Sequence, residues 1–127
     1  MKMALTQDKY DAWMNNLKEF GLLEPEEVIE DYIKGDYWSF SGQTRGQYLF
    51  TNKKVVFFSG FGVKVVPIQY SNIRGIKKCM VSLFIPTGIK VTVFDPEKNK
   101  EVSHKLSVMK RANWMNYLSQ KSGVPLQ

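Results

Sequence analysis

The clearest pattern of apolar and polar positions lies at mid-chain. Two apolar segments, Tyr48 to Phe50 and Val55 to Phe58, flank the polar stretch Thr51-Asn52-Lys53. Aromatic and β-branched residues suit a pleated, half-buried surface. Asn tolerates the left-handed or bridging backbone that a short connection needs. Residues 46–59 therefore predict a central β-hairpin, with its second strand at 44–50 and third at 54–60 in chain order. A first strand is expected over 27–40, broken or bent near Gly35-Asp36 where the alternation falters. A fourth, 63–70, carries Pro67, which belongs on an edge or at a bulge. After the polar corner Ser71-Asn72-Ile73 come a fifth strand over 75–84, a sixth over 89–94 with near-perfect alternation, and a seventh over 100–107.

Helical spacing appears only at the two ends. Tyr10, Trp13, Met14, Leu17 and Phe20 form one apolar stripe, with Thr6 as N-cap, Asp8 in the first turn and Gly21 at the C-terminal stop. The polar face mixes Asp8, Asp11, Asn15, Asn16 and Glu19 with Lys9 and Lys18, unlike the Lys/Arg-rich face of a membrane-surface helix. This stripe is the candidate interaction helix, docking on the body of its own chain or on a second subunit. Near the C-terminus Val108, Ala112, Met115 and Leu118 recur at helical spacing with Trp114 at the margin. Ser107 is the expected cap, and Gly123 with Pro125 the stop. Such a helix can plug the open end of a strongly bent sheet, with Trp114 as anchor.

The predicted architecture is mainly β with α: a seven-stranded, strongly bent antiparallel sheet or partly open barrel. A C-terminal amphipathic helix caps it and an extra N-terminal helix precedes it. The divisions are 1–21 for the helical arm, 22–123 for the domain and 124–127 for a tail. The 127 residues fit one domain, and 43% apolar with 13% aromatic content is ample for a core. Cys79 is the only cysteine, so no intramolecular disulfide is expected. With no signal-like apolar run and no stretch of membrane-spanning length, a cytoplasmic location is expected, with peripheral membrane association as a variant.

Charge changes the picture more. Residues 1–41 hold four lysines against nine acids, whereas 42–127 hold fourteen Lys and Arg against Asp95, Glu97 and Glu101. The basic part attracts anionic partners, although Lys-rich strands also keep sheet edges from sticking. The candidate anionic-ligand surface comprises Arg45, Lys53, Lys54, Lys64, Lys77 and Lys78.

Catalytic chemistry finds no foothold. His104, the sole histidine, falls on the apolar face of its strand without a marked partner. Cys79 reads as a structural thiol despite Lys78 beside it. The acids Glu24, Glu26, Glu27, Glu30 and Asp31 lack the Asp/Asn ladder and turn glycine of a calcium loop. Gly60, Gly62 and Gly88 serve turns rather than a phosphate cradle. The chain is expected to be no enzyme, with no cofactor and no metal.

The hairpin 46–59 resembles the GRAM version of the pleckstrin-homology superfold, especially bacterial pleckstrin-homology-like domains. The acidic entry Leu23-Glu24-Pro25-Glu26-Glu27 and the corner Ile68-Gln69-Tyr70-Ser71-Asn72-Ile73 match that pattern too, so the likeness spans about residues 22–120. The resemblance implies a non-catalytic binding module for proteins or anionic lipids. Lipid-binding members carry basic residues at the end of the first strand and in the second. Here Lys34 is followed by Gln43-Thr44-Arg45, with the middle basic residue missing and Asp36 between them. The functional expectation is therefore protein interaction or self-assembly, with anionic lipid headgroups as the alternative and no specific nucleic acid.

Overall fold

A computed structural model describes residues 5–60, 62–81 and 86–127. Helix α1 (Gln7–Glu19) starts where Thr6 accepts a hydrogen bond from the Lys9 amide. It ends at Phe20, with Gly21 in the left-handed region (φ 68°) that a helix stop commonly uses. Seven antiparallel strands follow: β1 (Ile29–Ser39), β2 (Gly42–Thr51), β3 (Lys54–Ser59), β4 (Lys64–Gln69), β5 (Ile73–Cys79), β6 (Gly88–Asp95) and β7 (Lys100–Val108). Helix α2 (Arg111–Ser122) closes the order.

The strands form one sheet in the order β4-β3-β2-β1-β7-β6-β5. β4 and β5 do not pair, so the barrel stays open. β1 is the hinge of the architecture, pairing with β2 along its length and with β7 only from Gly35 to Trp38. Of the break or bend expected near Gly35-Asp36, the break is absent: the strand runs through. A Cβ there would lie 2.7 Å from both the Ser107 carbonyl oxygen and Val108 Cγ1, so the glycine is what lets β7 close on β1. The register shift lies instead at Glu30, a bulge between Ile29 and Asp31.

Both halves of the sheet face one core, where Tyr48, Phe57 and Ile68 meet Ile76, Val91 and Leu106. α2 covers this core with buried Met115 and Leu118, and Trp114 stacks on Phe50 at 4.6 Å between ring centres. Its start differs from expectation. Ser107 and Val108 finish β7, Ser107 bonds Thr87 through its hydroxyl, and Lys110 precedes the helix with φ 56°. Ala112 is exposed rather than inward-facing. Gly123 stops the helix as expected, its amide bonding the Ser119 carbonyl.

A second cluster lies on the outer face of the sheet. Leu17 of α1 is fully buried with Ile29, Leu49, Val56 and Phe58. Every residue of β3 is buried, because α1 covers the face that the first core does not.

Two strand boundaries moved. The corner after β4 is a 3-10 turn, Tyr70–Asn72, and Ile73 belongs to β5. β5 ends at Cys79, while positions 82–84 of the expected fifth strand lie outside the described residues. Past α2, Val124 packs on the core, and the Gln127 amide donates to the Ile76 carbonyl at 2.9 Å.

Candidate functional site

The hairpin that dominates the sequence is built around a buried ion pair. Thr51 Oγ1 accepts hydrogen bonds from the Lys53 and Lys54 amides, which folds the two-residue connection. Lys54 then turns inward, and its Nζ lies 2.8 and 3.0 Å from the two Glu27 carboxylate oxygens. Glu27 also accepts from the Thr51 hydroxyl and from the Glu24 amide. Asn52 pins the same entry segment by accepting from the Val28 amide at 2.9 Å. Burial alone raises the Glu27 pKa, but these donors outweigh it and hold the carboxyl below its usual range.

Lys54 is thus no part of an anion-binding surface, a correction to the expectation. Its charge is consumed inside the fold. The other five candidates do not form one patch. Lys53 is exposed and lies 3.4 Å from Glu24, at the opposite end of β2 from Arg45. Arg45 and Lys64 belong to the end where the β1–β2 and β3–β4 hairpins turn. Lys77 and Lys78 sit on β5, the far edge of the sheet, on alternate faces.

Two basic residues that the sequence did not single out complete a pattern there. The registers Lys77↔Lys90 and Lys90↔Lys105 put three lysines side by side across β5, β6 and β7. Directly opposed like charges destabilise a sheet, and none of the three has a carboxylate within ion-pair distance among the described residues. Alternation marks each lysine as outward-facing. Only strand register aligns them.

The hairpin-turn end combines charge with exposed apolar groups. Phe40 at the β1–β2 turn is fully exposed, and Val63 at the β3–β4 turn is 89% exposed. The β2–β3 pairing ends at Gln47, so residues 42–46 overhang with Arg45 exposed on them. Lys64, on β4, places its Nζ 5.0 Å from the centre of the Tyr37 ring on β1. Beneath it the Tyr37 hydroxyl and His104 Nδ1 are 2.6 Å apart. Burial pushes the His104 pKa down against the opposing charge of Asp95. Cys79 is half-buried, and burial raises its thiol pKa although Lys105, Arg111, Lys90 and Lys77 pull the other way.

The candidate interaction helix is placed on its own chain. Tyr10, Trp13, Met14 and Leu17 pack on the outer face of β2 and β3, with Trp13 edge-on to Phe58 at 5.2 Å. Phe20 also meets Phe58, at 5.0 Å, and keeps 46% of its surface exposed. No helix among the described residues is long and apolar enough to cross a membrane.

No protein-family model matches the chain, and no curated protein matches its sequence. Solved structures do match its shape. The C-terminal domain of an unknown protein from Leishmania infantum superposes with a TM-score of 0.68 at 16% identity, over 88% of this chain and 95% of that one. The DH/PH domains of p115-RhoGEF give 0.61 at 9% identity, over 87% of this chain and 35% of theirs. This is a pleckstrin-homology-like fold. The hSac2 domain from human phosphoinositide phosphatase Sac2 gives 0.59 at 13% identity, covering 98% of this chain and 89% of the domain. At these identities the likeness concerns the fold alone. Within the pleckstrin-homology-like frame, the Thr51-Asn52-Lys53-Lys54 turn is tied to the entry segment, while Phe40 and Val63 at the other two hairpin turns are exposed.

Proposed function

We propose that this pleckstrin-homology-like chain is a non-catalytic binding module that associates peripherally with an anionic lipid surface through the turns of β1–β2 and β3–β4. The observation that carries this reading is the pairing of two exposed apolar tips, Phe40 and Val63, with Arg45 and Lys64. An apolar tip gains by entering the headgroup boundary while nearby cations meet lipid phosphates, each cation contributing about 1 kcal/mol near an anionic leaflet. The apolar stripe of α1 is already used within its own chain, which leaves the turn end rather than the helix to meet a partner.

The test is flotation of the whole chain with vesicles of neutral lipid, neutral lipid plus phosphatidylserine, and neutral lipid plus phosphoinositide, at low and high salt. Binding is expected on both anionic compositions, reduced by salt and by Phe40→Ala or Arg45→Glu with Lys64→Glu. Equal recovery with neutral and anionic vesicles, or none with either, would overturn the reading.

The Lys77–Lys90–Lys105 row favours a second reading, an acidic protein partner on the outer face of β5–β7. That reading expects salt-sensitive binding that survives Phe40→Ala and is lost when Lys90 and Lys105 are replaced by Glu. Binding indifferent to those two charges would exclude it.

A further inference from the structure

We propose that the edge of β5 is a strand-addition site for an extended acidic peptide, part of which the chain's own residues 124–127 occupy. The site uses none of the hairpin-turn residues and so goes beyond the lipid reading.

The open sheet has two edges, β4 and β5, and the chain treats them differently. An unpaired edge is a template for another strand unless something blunts it. On β4 the Tyr70 amide donates to the Lys53 carbonyl at 3.2 Å, which sets the phase of the β3–β4 ladder. In an antiparallel pair the backbone groups of alternate residues turn toward the neighbour and away from it. Counting back from Tyr70, Ile68 and Val66 turn toward β3, and Pro67 turns outward. Proline has no N–H, so the middle of the β4 edge offers no donor.

β5 carries no proline. The Gln127 amide donates to the Ile76 carbonyl at 2.9 Å, and Leu126 bridges Ile76 in parallel. The Ile76 carbonyl therefore faces away from β6. Two residues on, the N–H and C=O of Lys78 face the same way, and no backbone group among the described residues bonds them from outside the sheet. The chain's own segment shows what this edge accepts. Val124 packs on the core, the Ser119 hydroxyl donates to its carbonyl, and Leu126 keeps 41% of its surface exposed. That hold stops at Ile76, so a strand continuing past it gains the Lys78 groups as well.

Charge selects the partner. Lys77 and Lys78 are both exposed, on alternate faces of the edge, and neither has a carboxylate within ion-pair distance among the described residues. Two β5 edges from separate copies would set lysines against lysines, which destabilises the pairing. An added strand with acidic residues beside Lys77 and Lys78 meets a cation on each face, while its backbone bonds the edge. In the parallel register Leu126↔Ile76, the next two positions of such a strand fall opposite these two lysines.

The test titrates N-acetyl-Val-Pro-Leu-Glu-Glu-Thr amide into the 15N-labelled full chain at low salt. A control peptide carries Lys in place of both Glu. Saturable shifts are expected at the amides of residues 75–79 and 124–127, with the control weaker by about tenfold. Gln127→Pro removes the donor to Ile76 and should tighten binding about threefold, the scale of one net hydrogen bond. Lys78→Pro removes the outward N–H and leaves the bonds to β6 in place. It should bind at least about threefold more weakly than Lys78→Ala, which removes the charge alone. Lys105→Glu, two strands from the edge, should change the affinity less than about twofold. No saturable shift at 75–79, equal affinity for the two peptides, no tightening in Gln127→Pro, or equal affinity in Lys78→Pro and Lys78→Ala would overturn the proposal. A loss with Lys105→Glu as large as with Lys78→Pro would overturn it too, placing the peptide on the lysine row instead. Should Lys78→Pro not fold, the two peptides and Gln127→Pro decide.

Discussion

Lys54 and Glu27 form an ion pair at 2.8 Å with both side chains out of solvent, 5% and 0% exposed. The pair ties the chain's entry segment to the turn of its central hairpin. Removing one partner leaves a buried charge uncompensated, which costs about 3–5 kcal/mol. Lys54→Met and Glu27→Gln should each destabilise by that order in denaturant unfolding. The double variant Lys54→Met, Glu27→Leu should recover much of the loss. Single variants that unfold within about 1 kcal/mol of the parent would show that the pair is not holding the hairpin.

Gly35 and Gly75 form a matched contrast. A Cβ at Gly35 would meet backbone and side chain at 2.7 Å, whereas one at Gly75 finds nothing nearer than 3.4 Å. Overpacking against backbone typically costs about 1–3 kcal/mol, so Gly35→Ala should lower the melting temperature clearly. Gly75→Ala should leave it nearly unchanged. Equal melting shifts for the two would mean that β7 does not close on β1 through Gly35.

Helix α1 behaves as part of the domain in this arrangement. Leu17 is fully buried against Leu49, Val56 and Phe58, and Leu17→Ala should cost about 2–5 kcal/mol. The chain is expected to be a monomer by light scattering, and Trp13→Asp with Leu17→Asp should destabilise it. An oligomeric parent converted by the double variant into a stable folded monomer would return α1 to the role of an assembly arm.

His104 makes stability depend on pH in a defined direction. Burial lowers its pKa in the folded state, so the unfolded chain binds more protons just below the ordinary histidine value of about 6.5. Stability is full above that value and falls as pH drops through it toward the folded pKa. The slope reaches at most about 1.4 kcal/mol per pH unit. Unfolding midpoints between pH 8 and 5.5 should show this loss, and His104→Gln should flatten it. A parent profile without slope over that range would contradict the burial of a neutral imidazole.

The sequence by itself determined the elements and their order. Strand alternation and helical spacing are local periodicities, visible in Ile89 to Phe94 and in Tyr10 to Leu17 without knowledge of what they touch. The hairpin turn was legible for the same reason, since Thr51 folds it through amides two and three residues away. Tertiary structure decided everything that depends on register and on distant contacts. Lys54 reads as one more turn lysine, and only a partner 27 positions earlier takes it out of solvent. The run Val55 to Phe58 reads as half-buried, yet α1 covers its second face. Lys77, Lys90 and Lys105 are scattered along the chain and become neighbours only through strand pairing. Gly35 reads as a break or a bend because a missing side chain looks the same locally whether the strand stops or another backbone closes on it; the 2.7 Å approach of Ser107 excludes the stop.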